Sequence, residues 1–190
     1  MARNRTTLGA VKAVTISLAI DTATSRTIVA IIEDGKVLFE SFHEGATEHG
    51  FAITELVVKA LAVCPKPDQV VVGMGPGPFT GLRVGITFAH TFALAREIPV
   101  IGVCSLDAII VDKDEYTVAI DARRKEIYWA TYKDGVRVAG PAVDKPADVA
   151  DFIIDQYPNM QKLVLLSGSQ NITEPMYLRR PDAVPTAERT

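Results

Sequence analysis

Two aspartates, Asp21 and Asp121, each close an apolar run, LAID at 18–21 and VAID at 118–121, and each is followed by a polar turn. A carboxylate so placed, backed by hydroxyl residues, suits a divalent cation and a phosphate. Thr22, Thr24 and Ser25 supply the hydroxyls in the first copy. The second copy substitutes Ala122-Arg123-Arg124-Lys125, a basic turn that either takes an anion or is simply solvated. No general base accompanies the pair, so two carboxylates alone make no catalytic centre. The three histidines, His43, His49 and His90, form no H-x-x-x-H pair, which removes the spacing a zinc peptidase needs. His49 reads as a helix cap or partner contact, and His90 as a helix-face residue. Neither Ser105 nor Ser167 sits in a nucleophile elbow, and Cys64 and Cys104 belong to no C-x-x-C unit. No catalytic and no metal-ligating residue is therefore assigned.

The segment GMGPGPFTGLRVGITFAHTFALA (73–95) places a glycine-rich loop at the start of a helix. Free N–H groups and the positive end of the helix dipole make such a place an anion site, with Gly75, Gly77, Thr80 and Gly81 as its donors. The equally open reading is a tight turn in which glycine lets backbone approach backbone. Walker A is excluded, because Leu82-Arg83 stand where Lys-Ser/Thr would. Nor does the loop fit G-x-G-x-x-G with an acidic ribose ligand downstream. Behind the loop, Gly81, Gly85, Ala89 and Ala93 recur every four residues and leave one stripe almost bare; Val84, Phe88 and Phe92 line another, and Leu82 and Ile86 widen the apolar arc. A helix lying on a sheet needs one apolar face. The excess predicts a foreign backbone on the bare ridge, the alternative being a helix buried on all sides.

The elements that must position these residues follow from periodicity. A shift of 100 residues superposes LAID on VAID, Ala30 on Ala130 and Asp34-Gly35 on Asp134-Gly135, so each half begins with three antiparallel strands. Ile53, Leu56, Val57, Ala60 and Leu61 mark an amphipathic helix over 49–63, ended by Pro65-Lys66-Pro67. QVVVGM reads as a buried parallel strand, residues 80–97 as a long helix, PVIGVC as a strand, and Ser105 as the opening of another helix. In the second half the pattern predicts a helix over 146–156 and a strand over 162–168, and the tail is too rich in proline and charge for a core helix. That half is short enough to have lost much of a helical layer.

The whole chain has 190 residues, 48% of them hydrophobic, which suffices for one large domain or two lobes. Its division reads as an extension over 1–14, a first lobe over 15–105 and a shortened second lobe over 106–190. A net charge of -3 provides no overall polycation for nucleic acid, leaving only local basic groups such as 123–125 and Arg179-Arg180. The basic N-terminal stretch lacks a secretory apolar region, and no apolar run nears the roughly 20 residues that span a bilayer, so a cytoplasmic protein is expected.

AIDTATS, the 73–95 segment, IPVIGVCSLDA, AIDARRKEIYWATY and MYLRRPDA occur in this order over nearly the whole chain. Together they resemble the TsaB (YeaZ) family, the middle motif being the most specific. The resemblance implies an α/β, two-lobed actin-like (ASKHA, ribonuclease H-like) fold with duplicated βββαβα lobes, the second shortened. It implies a non-catalytic scaffold that binds TsaD and, with the ATPase TsaE, supports threonylcarbamoylation of the tRNA adenosine beside the anticodon, touching tRNA only through that complex. By the same resemblance the chain alone forms a homodimer, and requires no cofactor of its own beyond ATP or ADP held at the TsaD interface. The helix pair implied to meet the partner carries His49, Ile53, Leu56, Val57, Ala60, Leu82, Gly85, Ile86, Phe88, Ala89, Phe92 and Ala93, while Asp21, Thr22, Thr24, Gly75, Gly77, Thr80 and Gly81 are the nucleotide candidates. Two other readings stand beside it: a stand-alone actin-like nucleotide-binding enzyme, and a glycoprotease homologue of the M22 type.

Overall fold

A computed structural model describes residues 14–179. The first half starts with β1 (Ile16–Asp21), β2 (Arg26–Glu33) and β3 (Lys36–Glu44), continues through α1 (His49–Val63), β4 (Gln69–Gly73), α2 (Phe79–Arg96) and β5 (Val100–Val103), and ends in a single 3-10 turn at Leu106–Ala108. Its sheet runs in the order β3-β2-β1-β4-β5, the first three strands antiparallel and the last two parallel to β1. The second half repeats the meander as β6 (Glu115–Asp121), β7 (Ile127–Lys133) and β8 (Val136–Asp144) and adds the short β9 (Phe152–Ile153), in the order β8-β7-β6-β9. Both Asp-Gly turns have positive φ at each residue, 44° and 82° at Asp34-Gly35 and 50° and 75° at Asp134-Gly135, the geometry that tight hairpins demand.

The repeat is close but not perfect. Asp21 pairs with Ile28, whereas Asp121 pairs with Ile127, so the second turn closes one residue sooner. Arg123, Arg124 and Lys125 absorb the difference with three successive left-handed conformations, φ 63°, 54° and 63°.

One face of the first sheet, with Leu18, Ile20, Val29, Ile31, Val70 and Val72, carries α1 and α2. The opposite face, with Ala19, Ile28, Ala30, Ile32 and Val71, is covered by α3 (Met160–Leu166), a helix that comes from the second half of the chain. A third core, built from Tyr116, Val118, Ile120, Ala130 and Tyr132, lies between the second sheet and Cys104, Leu106 and Ile109.

Three expectations are corrected here. KLVLLSG is helical, not extended: the Asn159 side chain accepts the Lys162 N–H at 2.9 Å, an N-cap that opens α3, and Met160 and Leu163, one helical turn apart, are buried. Residues 146–156 form a 3-10 turn at Pro146–Asp148 and then β9, which pairs with β6; Asp151 has φ 47°, a conformation that interrupts a helix. After Ser105 only the 3-10 turn Leu106–Ala108 forms; its Ala108 shares a core cluster with Met160 and Leu163, so α3, and not a helix after Ser105, covers this face of the sheet. Residues 1–13 and Arg180, named above in the N-terminal extension and in a basic pair, lie outside the described residues.

Candidate functional site

The loop 74–78 and the start of α2 lean on the turn that follows β1, and the details of that contact decide what Asp21 does. Asp21 is fully buried; its Oδ1 accepts the Ala23 N–H at 2.9 Å and its Oδ2 accepts the Ser105 hydroxyl at 2.6 Å. Ser105 Oγ in turn accepts the Gly75 N–H at 3.2 Å. Burial pushes the Asp21 carboxyl up to about 6 against the lowering effect of the Ser105 and Ala23 hydrogen bonds. A Cβ on Gly73 would lie 1.9 Å from Asp21 Oδ2, and one on Gly77 2.6 Å from the Ala23 carbonyl oxygen. The glycines are there because the turn is packed solid.

The bare stripe of α2 completes the same packing. Thr22 Oγ1 donates to the Gly81 carbonyl at 2.8 Å, and a Cβ on Gly85 would sit 2.3 Å from Thr22 Oγ1. Thr24 is buried, its Oγ1 accepting the Arg26 N–H at 3.1 Å. His49 is 4% exposed, hydrogen-bonded through Nδ1 to Thr27 Oγ1 at 2.8 Å, with its other ring nitrogen facing Gly81. Burial, with a smaller push from His43, holds this imidazole below its ordinary pKa and therefore neutral near pH 7. The nucleotide candidates Asp21, Thr22, Thr24, Gly75, Gly77 and Gly81 are thus buried against one another, and Thr80 alone of them faces solvent. Between the two meander turns a cavity of about 170 Å³ remains, lined by Thr24, Ser25, Asp121, Arg123, Asp155 and Tyr157 among others. It falls short of the roughly 300–1,000 Å³ typical of pockets that enclose a small molecule.

The partner face needs a matching correction. His49, Ile53, Leu56, Val57, Ala60, Leu82, Gly85, Ile86, Ala89 and Ala93 all point into the chain's own core. The ridge that was to meet a foreign backbone meets Thr22 and its neighbours instead. Phe88 and Phe92 are the two of the twelve that remain half-exposed, stacked with ring centroids 6.1 Å apart. Phe88 lines a groove of about 590 Å³ between α1 and α2, whose walls include Thr54, Phe79, Arg83, Val84, Thr87 and Thr91. Beside it α1 exposes Phe51 and Val58, at 72% and 65%. Once 81, 85 and 89 are turned inward, helical phase puts 84, 88 and 91 about a quarter-turn away, on the flank of α2 that borders the groove.

Fold and site together define an α/β protein of two meander-led sheets, in which the turn after β1 is filled by the chain's own residues and the paired helices α1 and α2 present an apolar groove. The family model described as TsaD, tRNA N6-adenosine threonylcarbamoyltransferase, matches residues 44–183. An uncharacterized protein of Mycobacterium leprae is 42% identical over 203 residues, covering 90% of this chain and 56% of its own. The Escherichia coli tRNA threonylcarbamoyladenosine biosynthesis protein TsaB is 39% identical over 126 residues, covering 61% of this chain and 54% of its own. The matched stretch therefore spans about half the length of these two relatives. Among solved structures, YeaZ from Pseudomonas aeruginosa superposes with a TM-score of 0.69 at 23% identity, over 81% of this chain and 91% of that one. The chain belongs to the TsaB (YeaZ) family.

Proposed function

We propose that this protein serves in threonylcarbamoyladenosine formation on tRNA as a non-catalytic partner of TsaD, docking through the exposed groove between α1 and α2. The observation that carries the reading is the second apolar face of α2: its inner side is already filled by the protein's own core, yet Phe79, Val84 and Phe88, only partly covered by that core, line the groove. A helix pair from TsaD, or from a second copy when the chain is alone, is the complement such a face calls for. TsaE supplies the ATPase of the assembly, any ATP or ADP is held where TsaD meets this chain, and tRNA is engaged through the complex in the cytoplasm. The second reading, an enzyme that binds nucleotide alone, draws no support from Asp21, whose two oxygens are already taken.

The test is co-purification with TsaD of the unaltered chain and of a Val84→Asp/Phe88→Asp variant whose circular dichroism is unchanged. The variant is expected to lose the complex and, in a reconstituted reaction, to lose tRNA threonylcarbamoylation with it. A variant that still co-elutes in full would exclude the groove as the docking site.

A further inference from the structure

Residues 170–179 have no regular secondary structure, yet nearly every second one is tied to a different part of the molecule. Gln170 accepts the Cys104 N–H through Oε1 at 3.1 Å and donates through Nε2 to Asp107 Oδ2 at 2.8 Å. Asp107 also accepts the Tyr132 hydroxyl of β7 at 2.8 Å and faces Arg137 of β8 at 3.6 Å. Ile172 donates its N–H to the Gly102 carbonyl of β5 at 2.8 Å, and its own carbonyl comes so close that a Cβ on Gly102 would stand 2.0 Å from it. The Ile172 side chain packs against both the core under α1 and α2 and the core of the second sheet. Met176 donates its N–H to the Met74 carbonyl at 2.8 Å while its side chain joins the second-sheet core. Tyr177 lies against Phe79 with ring centroids 4.8 Å apart, and Arg179 donates to the Ala122 carbonyl at 3.0 Å and pairs with Glu126 in the β6–β7 turn.

We infer that residues 170–179 are a strap that fixes the angle between the two lobes, so that the cleft between the turns 22–25 and 122–126 has a single width. Hinge closure around a ligand requires two bodies joined by a few residues free to change their φ and ψ. Here ten residues bind β5, the glycine loop, the start of α2 and the β6–β7 turn at once, so a change of angle must break several hydrogen bonds together. Their joint loss is cooperative. A second tie on the other flank acts in the same sense: Tyr157 stacks on the Arg26 guanidinium at 3.6 Å, and that guanidinium lies over the Phe42 ring at 4.2 Å. The inference stands apart from the choice of docking partner, since it concerns the isolated chain.

Spin labels at Lys66→Cys in the first lobe and Lys133→Cys in the second, in a Cys64→Ser background, report the lobe separation by pulsed dipolar spectroscopy. The strap predicts one narrow distance distribution, unchanged by Mg-ATP, that broadens when Gln170→Ala and Arg179→Ala are introduced together. A broad or ATP-responsive distribution with the strap intact, or one equally narrow after both substitutions, overturns the inference. Should the doubly substituted chain fail to fold, hydrogen exchange on the parent chain decides. The Ile172 and Met176 amides are expected to exchange at least about a hundredfold more slowly than in an unfolded chain, and exchange at the unfolded rate refutes the strap.

Discussion

Asp21 shows how one buried group changes its role with its surroundings. Its carboxyl titrates at about 6 when folded against 3.8 in an ordinary environment, so the folded protein binds its proton more tightly than the unfolded chain does. The stability this contributes is fully present below pH 3.8 and is lost as pH rises through about 6. The difference amounts to about 3 kcal/mol. Urea unfolding at pH 4 and pH 7.5 should show that loss in the parent chain and a much flatter profile in Asp21→Asn; parallel profiles would mean that Asp21 is not the group responsible. Gly85 offers a second measurement at this scale. Its would-be Cβ meets Thr22 Oγ1 at 2.3 Å, so Gly85→Ala should destabilise by about 2–3 kcal/mol, and by clearly less in a Thr22→Ala background. Additive costs in the double-mutant cycle would show that the two residues do not press on one another.

At the scale of elements, α2 was legible in length and composition but not in rotation. The sequence shows a bare stripe and an aromatic stripe, and nothing local says which of them turns inward. The decision came from Thr22 and His49, dozens of residues away, which occupy the space that Gly81 and Gly85 leave. The meanders were legible because Asp-Gly turns and apolar alternation are local signals. KLVLLSG was misread because a short apolar run has no periodicity that separates strand from buried helix, while the one local clue, Asn159 as N-cap, lay just outside it. Two substitutions test α3. Asn159→Ala should cost about 1 kcal/mol and Leu163→Ala about 2–5 kcal/mol in equilibrium unfolding, because the first removes only a cap and the second opens a cavity against the first sheet. If Leu163→Ala cost no more than the cap, α3 would be a loosely held surface helix.

Over the whole molecule the two halves are folded into one another. The first sheet comes from residues 16–103, but the helix that closes its second face begins at Met160, and Tyr157 beside it reaches back to Arg26. A chain ending at residue 158 would leave Ala19, Ile28, Ala30, Ile32 and Val71 without cover. It is expected to lose cooperative thermal unfolding and to bind a hydrophobic dye, as followed by calorimetry and fluorescence; a sharp transition in that fragment would show that the first lobe folds on its own. The sequence by itself determined the strand meanders, the two long helices, the duplication and the family, since each is written in short-range pattern or in a specific motif. Only the tertiary structure decided which face of α2 is free, that Asp21 is enclosed, and that the second half closes the first. Those outcomes depend on side chains far apart in the chain competing for the same space, and no periodicity along the chain records who occupies it.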